Sequence, residues 1–151
     1  MADFYPRRIL AVREPDGESR ILRDGLPMHV FSPPEAPGFT LAELWHGDGA
    51  LKILPPTDLD AEAQPALLPG VGGIRARLVF HAPGAKMAMH QTDTIDVVVI
   101  ISGELCLKIE GAEAVTLKPG DSVVQLGARH SWENCGTEPC VAAVFLVGAA
   151  S

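Results

Sequence analysis

The chain has 151 residues, and its 12 Lys plus Arg against 19 Asp plus Glu give a net charge of −7. This length is one ordinary domain with room for a buried core, and 47% apolar against 21% charged residues excludes a disordered chain. The acidic balance, without any basic cluster, excludes nucleic acid as a partner, because phosphate binding needs concentrated Lys and Arg.

In chain order, Ile9–Val12 and Ser19–Leu22 flank Glu14-Pro15-Asp16-Gly17-Glu18, which predicts a hairpin. Pro27 to Gly38 is rich in Pro and poor in pattern. Thr40–His46 reads as a strand that stops at Gly47-Asp48-Gly49. Pro55 to Gly73 reads as a long surface loop with one helical turn at Asp58–Ala63. It is either a lid over a site or an arm for dimer contact. After Gly73 the pattern sharpens. Ile74, Ala76, Leu78 and Phe80 alternate with Arg75, Arg77 and Val79 until Pro83-Gly84. Asp96–Ile101 is a β-branched run closed by Ser102-Gly103. Glu104–Glu110 puts Leu105, Leu107 and Ile109 on one face, with Lys108 and Glu110 on the other. Ala114–Leu117, Ser122–Leu126, His130–Asn134 and Val141–Val147 complete the set.

Strands at this spacing, broken by 15 Gly and 13 Pro, predict an all-β antiparallel sandwich or barrel. The expected organisation is one structural domain. Residues 1–73 supply a hairpin, a strand and a Pro/Gly-rich loop that pack on a barrel core at 74–151. Met1–Arg8 lacks the apolar segment of a secretory signal. The longest apolar run, Cys140–Ala150, is too short to span a bilayer. No membrane partner is expected. Cys106, Cys135 and Cys140, odd in number and without a C-x-x-C pair, predict free thiols and a cytoplasmic location. Cys135 and Cys140 could also face each other across a hairpin.

Chemistry concentrates around two histidines. Period-two alternation from His90 puts His90, Thr92 and Asp96 on one side of a strand, with Asp93 facing outward. His130 points with Trp132 and Asn134 on a later strand. If those strands meet in a barrel, two imidazoles and a carboxylate converge, a set that suits a divalent transition metal and leaves positions open.

These residues resemble the cupin family. Its first motif, G-x5-H-x-H-x3-E-x6-G, falls on Gly84, His90, Thr92, Asp96 and Gly103, with Thr92 in place of the second His and Asp96 in place of Glu. Its second, G-x5-P-x-G-x2-H-x3-N, falls on Gly127, His130 and Asn134, with Gln125 in the Pro position and Gly120 one residue too near. The resemblance covers about Ile74 to Val147. It implies a jelly-roll β-barrel around a ligand pocket, commonly with Fe, Mn, Ni, Zn or Cu bound. Carried over, it makes His90 and His130 metal ligands and Asp96 the third. Asp96 has two further readings, as a general base beside the metal and as a group bonded to a turn. Thr92 departs from the pattern, since a hydroxyl is a poor ligand for such metals.

Arg77, Trp132, Gln125 and Thr92 are weaker candidates for a substrate pocket. Arg75 and Arg77 suit an anionic substrate through bidentate pairing, against the plainer reading of a solvated strand face. Trp132 is either a pocket wall or interior packing. Trp45 and His46 end a strand before Gly47-Asp48-Gly49, where they either line the barrel mouth or, for Trp45, pack at its rim. The expected function is a metal-dependent lyase or isomerase, or a dioxygenase with Fe(II), acting on a small organic acid or carbonyl compound. The alternative is a ligand-binding or sensing barrel without metal, for which Thr92 argues. A homodimer is expected by analogy, through the N-terminal hairpin.

Overall fold

Apolar side chains at every second position gather on one face of a pleated strand, and burying that face against another sheet is what folds this chain. The computed structural model describes residues 4–51, 53 and 65–150, and every regular element among them is a β-strand. In chain order these are β1 (Arg8–Arg13), β2 (Ser19–Gly25), β3 (Val30–Phe31), β4 (Phe39–Gly47), β5 (Ile74–His81) and β6 (Lys86–His90). They continue with β7 (Thr94–Ser102), β8 (Leu105–Ile109), β9 (Val115–Leu117), β10 (Ser122–Leu126), β11 (His130–Glu133) and β12 (Cys140–Gly148). The helical turn expected at Asp58–Ala63 lies outside the described residues. No helix among the described residues is long and apolar enough to cross a membrane.

β1 and β2 form a two-stranded sheet of their own, the predicted hairpin. A six-stranded sheet runs β10-β7-β12-β5-β4-β3, and a four-stranded sheet runs β6-β11-β8-β9. All pairings are antiparallel. Val98, Ile100 and Ala142 from the large sheet bury against Leu105, Leu107, Leu117 and Trp132 from the small one. This core joins the two sheets into an antiparallel jelly-roll barrel. A second cluster of Ala36, Phe39, Leu41, Val79 and Ala85 fills one end. Each Val, Leu, Ile or Phe among them contributes about 1.5–3 kcal/mol when fully buried.

The motif corners are built for this closure. Gly103 holds φ +75°, and a Cβ there would lie 2.4 Å from the Pro139 carbonyl oxygen. Only glycine fits both constraints. Asn134 is fully buried and donates to the carbonyls of His81 and Glu138, each at 2.9 Å, while its own oxygen accepts from the Gly136 N–H. The motif Asn therefore ties the β11–β12 loop to the end of β5.

One strand went unread in the sequence, and two expectations need correction. Lys86–His90 is a strand that its sequence hides, because Lys, Met and Ala carry little β propensity. Arg75 and Arg77 do not sit on a solvated face. Both are 2% exposed and share the inner face of β5 with Val79 and His81. Burial is tolerated because Arg77 meets Glu43 at 2.6 Å, while Arg75 meets Asp48 at 3.0 Å and donates to the carbonyls of Ala66, Gly47 and Ile74. Finally, the cysteines are not all free. Cys106 and Cys135 form a disulfide between β8 and the loop after β11, and Cys140 is the buried free thiol. Cys106 stands opposite Glu133 in the β8–β11 ladder, so Cys135 follows within bonding reach. The bridge removes the support that free thiols lent to a reducing compartment.

Candidate functional site

β6 ends at His90 and β11 begins at His130, and the two are direct cross-strand partners. Their ring centroids are 4.3 Å apart, tilted by 55°. Each ring is held the same way. His90 Nδ1 lies 2.8 Å from the Ala88 carbonyl oxygen, and His130 Nδ1 lies 2.7 Å from that of Ala128. With Nδ1–H donating, the lone pair of each neutral ring resides on Nε2. Burial holds His130 below the ordinary histidine range. The Ala128 hydrogen bond opposes that shift, the neighbouring His90 reinforces it, and Asp96 opposes it. The ring is thus kept neutral, the form that binds metals and accepts protons.

Asp96 reaches this chamber from the opposite sheet. The chain does not run straight from His90 to Asp96 as one strand. It turns at Gln91–Asp93 and starts β7 at Thr94, crossing from the small sheet to the large one. Asp96 is buried, and its Oδ1 has no hydrogen-bond partner among the described residues. Gln125 stands opposite it on β10, also buried, with neither amide atom partnered among those residues. Thr92 lies in the turn, half-buried, and its hydroxyl accepts from that of Thr94 at 2.8 Å. Asp93 is exposed. Trp132 packs in the main core and presents an edge to His130 at 5.8 Å between ring centroids.

The donor types fit a divalent transition metal: two imidazoles with pinned Nδ1 atoms, and an orphaned carboxylate oxygen with an orphaned amide beside it. Buried polar atoms without partners are rare in folded proteins, so three side-chain atoms of this kind on Asp96 and Gln125 ask for a bound group or water. Among the described residues no three His, Cys, Asp or Glu side chains are already gathered around one point. Coordination by Asp96 therefore requires its side chain to swing toward the imidazoles.

Further along the lumen lie polar groups that sequence reasoning passed over. Glu43 pairs with Arg77 in the β4–β5 ladder. Burial pushes the Glu43 carboxyl up, and the Arg77 guanidinium opposes that shift. Its parity with Phe39 and Leu41 was the available signal. His81 is buried edge-on to Phe39 with neither ring nitrogen partnered among the described residues, and burial pushes it down to about 4.

The cupin-domain family profile matches residues 77–147, the stretch from β5 to β12 that holds every residue of the chamber. The barrel is a cupin. Over 70 residues it is 43% identical to the oryzines biosynthesis cluster protein J of Aspergillus oryzae, covering 46% of this chain and 38% of that protein. Over 94 residues it is 31% identical to the cupin-domain-containing oxidoreductase srdB of Neurospora crassa, covering 61% of this chain and 47% of that one. The chain thus spans less than half the length of these curated relatives. Among solved structures, the Cnp3 cupin domain of Schizosaccharomyces pombe superposes with a TM-score of 0.57 at 13% identity, over 96% of this chain and 89% of that one. KdgF from Halomonas sp. gives 0.53 at 18% identity, over 78% and 84%. Both likenesses are of fold.

Proposed function

We propose that this cupin is a metal-dependent enzyme acting on a small organic acid or carbonyl compound. The observation that carries the reading is the His90–His130 pair, both Nδ1 atoms anchored, with a buried, orphaned Asp96 oxygen on the facing sheet. His90 and His130 would hold the metal, with Asp96 as third ligand or as the base beside it. A bound divalent ion supplies Lewis-acid polarisation of a substrate oxygen. The chain supplies the rest. Asp96 Oδ1 takes a proton from the carbon α to that carbonyl and returns it to a different carbon of the enolate, which is isomerase chemistry, or to a departing β-group, which is lyase chemistry. The Gln125 amide offers a donor and an acceptor to orient the substrate, and Trp132 with Ile109 and Val123 keeps the surroundings apolar.

A redox variant of this reading is favoured by relatives bearing the name cupin-domain-containing oxidoreductase. Two imidazoles and a carboxylate leave room for dioxygen on Fe(II). Thr92 in the slot of a second His favours the other alternative, a binding or sensing barrel without metal. Small-molecule partners and a homodimer belong to this proposal, as does a cytoplasmic location.

Proton exchange separates these readings. Protein loaded with Fe(II), Mn(II), Zn(II) or Ni(II) is incubated in D2O with a set of small 2-oxo acids and ketones, and C–H loss is followed by 1H NMR. The enzyme reading expects accelerated exchange for at least one compound, lowered about 10²–10⁴-fold by Asp96→Asn. Exchange that survives Asp96→Asn unchanged overturns the role of Asp96.

A further inference from the structure

Glu43 and Arg77 are each 2% exposed, stand directly opposite in the β4–β5 ladder, and touch through a single hydrogen bond, Arg77 Nε donating to Glu43 Oε2 at 2.6 Å. The contact is one-armed. Arg77 Nη2 and Glu43 Oε1 are buried with no partner among the described residues, although a guanidinium and a carboxylate can satisfy each other in a two-bond fork. His29, half-buried, joins them: its carbonyl accepts the Glu43 N–H at 2.9 Å, and its Nε2 is likewise buried without a partner. A buried ion pair kept for stability alone has little to recommend it, since apolar replacements are often neutral or better. Leaving an orphaned atom on each partner adds a further desolvation cost.

The pair faces the same lumen as the histidines. Arg77 is opposite Val144 on β12, and Val144 is opposite Val98 on β7, two residues from Asp96 on the same face. Two strand spacings of ~4.8 Å and two residues of ~3.3 Å put the Arg77 and Asp96 backbones about 12 Å apart. Arg77 itself leans onto Glu43 of β4, on the side of β5 away from β7.

We propose that Glu43, Arg77 and His29 form a second subsite of the barrel, one that binds a neutral group carrying an acceptor and a donor side by side, such as a carboxamide. The free Nη2–H donates to the amide oxygen and the free Oε1 accepts from the amide N–H, so both orphans are satisfied at once. The pair is already charge-balanced. A carboxylate placed on Arg77 would lie against the Glu43 charge and leave Oε1 unpaired, which disfavours it. The subsite extends the proposed function by giving its substrate a remote anchor, and it rests on that reading only for the link to chemistry at the histidines.

The test uses acetamide and acetate as probes on the full chain at pH 7. The Arg77 Nε–Hε resonance, protected by burial and by Glu43, is followed by 15N–1H NMR during titration. The expected result is a saturable shift with acetamide, binding at least about tenfold tighter than acetate, the worth of one retained hydrogen bond. Two variants accompany it. Glu43→Leu/Arg77→Leu removes both charges together and so avoids a stranded one; it is expected to abolish the saturable shifts of neighbouring β5 amides. His90→Ala/His130→Ala is expected to keep them, so that loss of the metal reading leaves the subsite intact. Equal or stronger binding of acetate overturns the proposal. So does the absence of saturation with either probe.

Discussion

His90 and His130 are cross-strand partners whose rings approach to 4.3 Å, and each donates Nδ1–H to the carbonyl two residues before it, Ala88 and Ala128. The same local device on two strands orients both imidazoles. Such hydrogen bonds fix the tautomer of metal-binding histidines elsewhere. They also mean that mutating the residues around the rings will disturb them less than mutating the rings themselves. The third group, Asp96, has no such anchor, and its freedom suits either a ligand that closes on an ion or a base that moves a proton.

Acid should destabilise the protein through His81. Its folded value of about 4 lies below the unfolded 6.5 because burial disfavours the charged ring. The stability tied to the neutral ring is fully present above about pH 6.5 and is lost as pH falls toward 4. At about 1.4 kcal/mol per unit, the loss amounts to about 3 kcal/mol. Urea unfolding of the parent and of His81→Leu between pH 7 and 4 checks this. The variant should show a shallower fall, and parallel curves would show that His81 is not the titrating group.

The disulfide makes a separate prediction. Cys106 and Cys135 close a loop of 29 residues' separation, and removing such a link lowers stability by about 3 kcal/mol. Cys106→Ser/Cys135→Ser should unfold at correspondingly lower urea. Denatured parent protein without reductant should titrate a single thiol, Cys140, and all three cysteines after reduction. Three thiols before reduction would show that the bridge does not form in solution.

Much of this was legible in the sequence, for definable reasons. Leu105, Leu107 and Ile109 alternate with polar residues, so β8 and its buried face follow from periodicity. Gly84, Gly103 and Gly127 all hold positive φ, as corners must. The rest depended on contacts that cross the chain. Nothing near Arg77 announces Glu43, 34 residues earlier, and a rule that sends charges outward misplaces both. The pairing of Cys106 with Cys135 cannot be deduced from spacing. The Asp96 carboxylate was expected beside His90 on one strand, whereas the barrel brings it from the facing sheet.

The outer face of the six-stranded sheet carries the homodimer proposal better than the N-terminal hairpin does. Leu126, Ile95 and Val147 form one cross-strand row, with Val124 and Phe145 flanking Val97 in the next. Leu126 is 74% and Val124 64% exposed, and contiguous apolar surface of this kind marks association sites. Light scattering after size exclusion should give a dimer for the parent and a monomer for Val124→Lys/Leu126→Lys. A monomeric parent would remove the dimer from the account.

Metal content tests the central claim most directly. Protein purified without chelator or affinity tag, and then soaked anaerobically in Fe(II), Mn(II), Zn(II) or Ni(II), is compared by elemental analysis with His90→Ala/His130→Ala. The account predicts close to one ion per chain in the parent and none in the folded variant, with Asp96→Asn binding more weakly than the parent. A parent that takes up no metal, or a variant that holds as much as the parent, would contradict it.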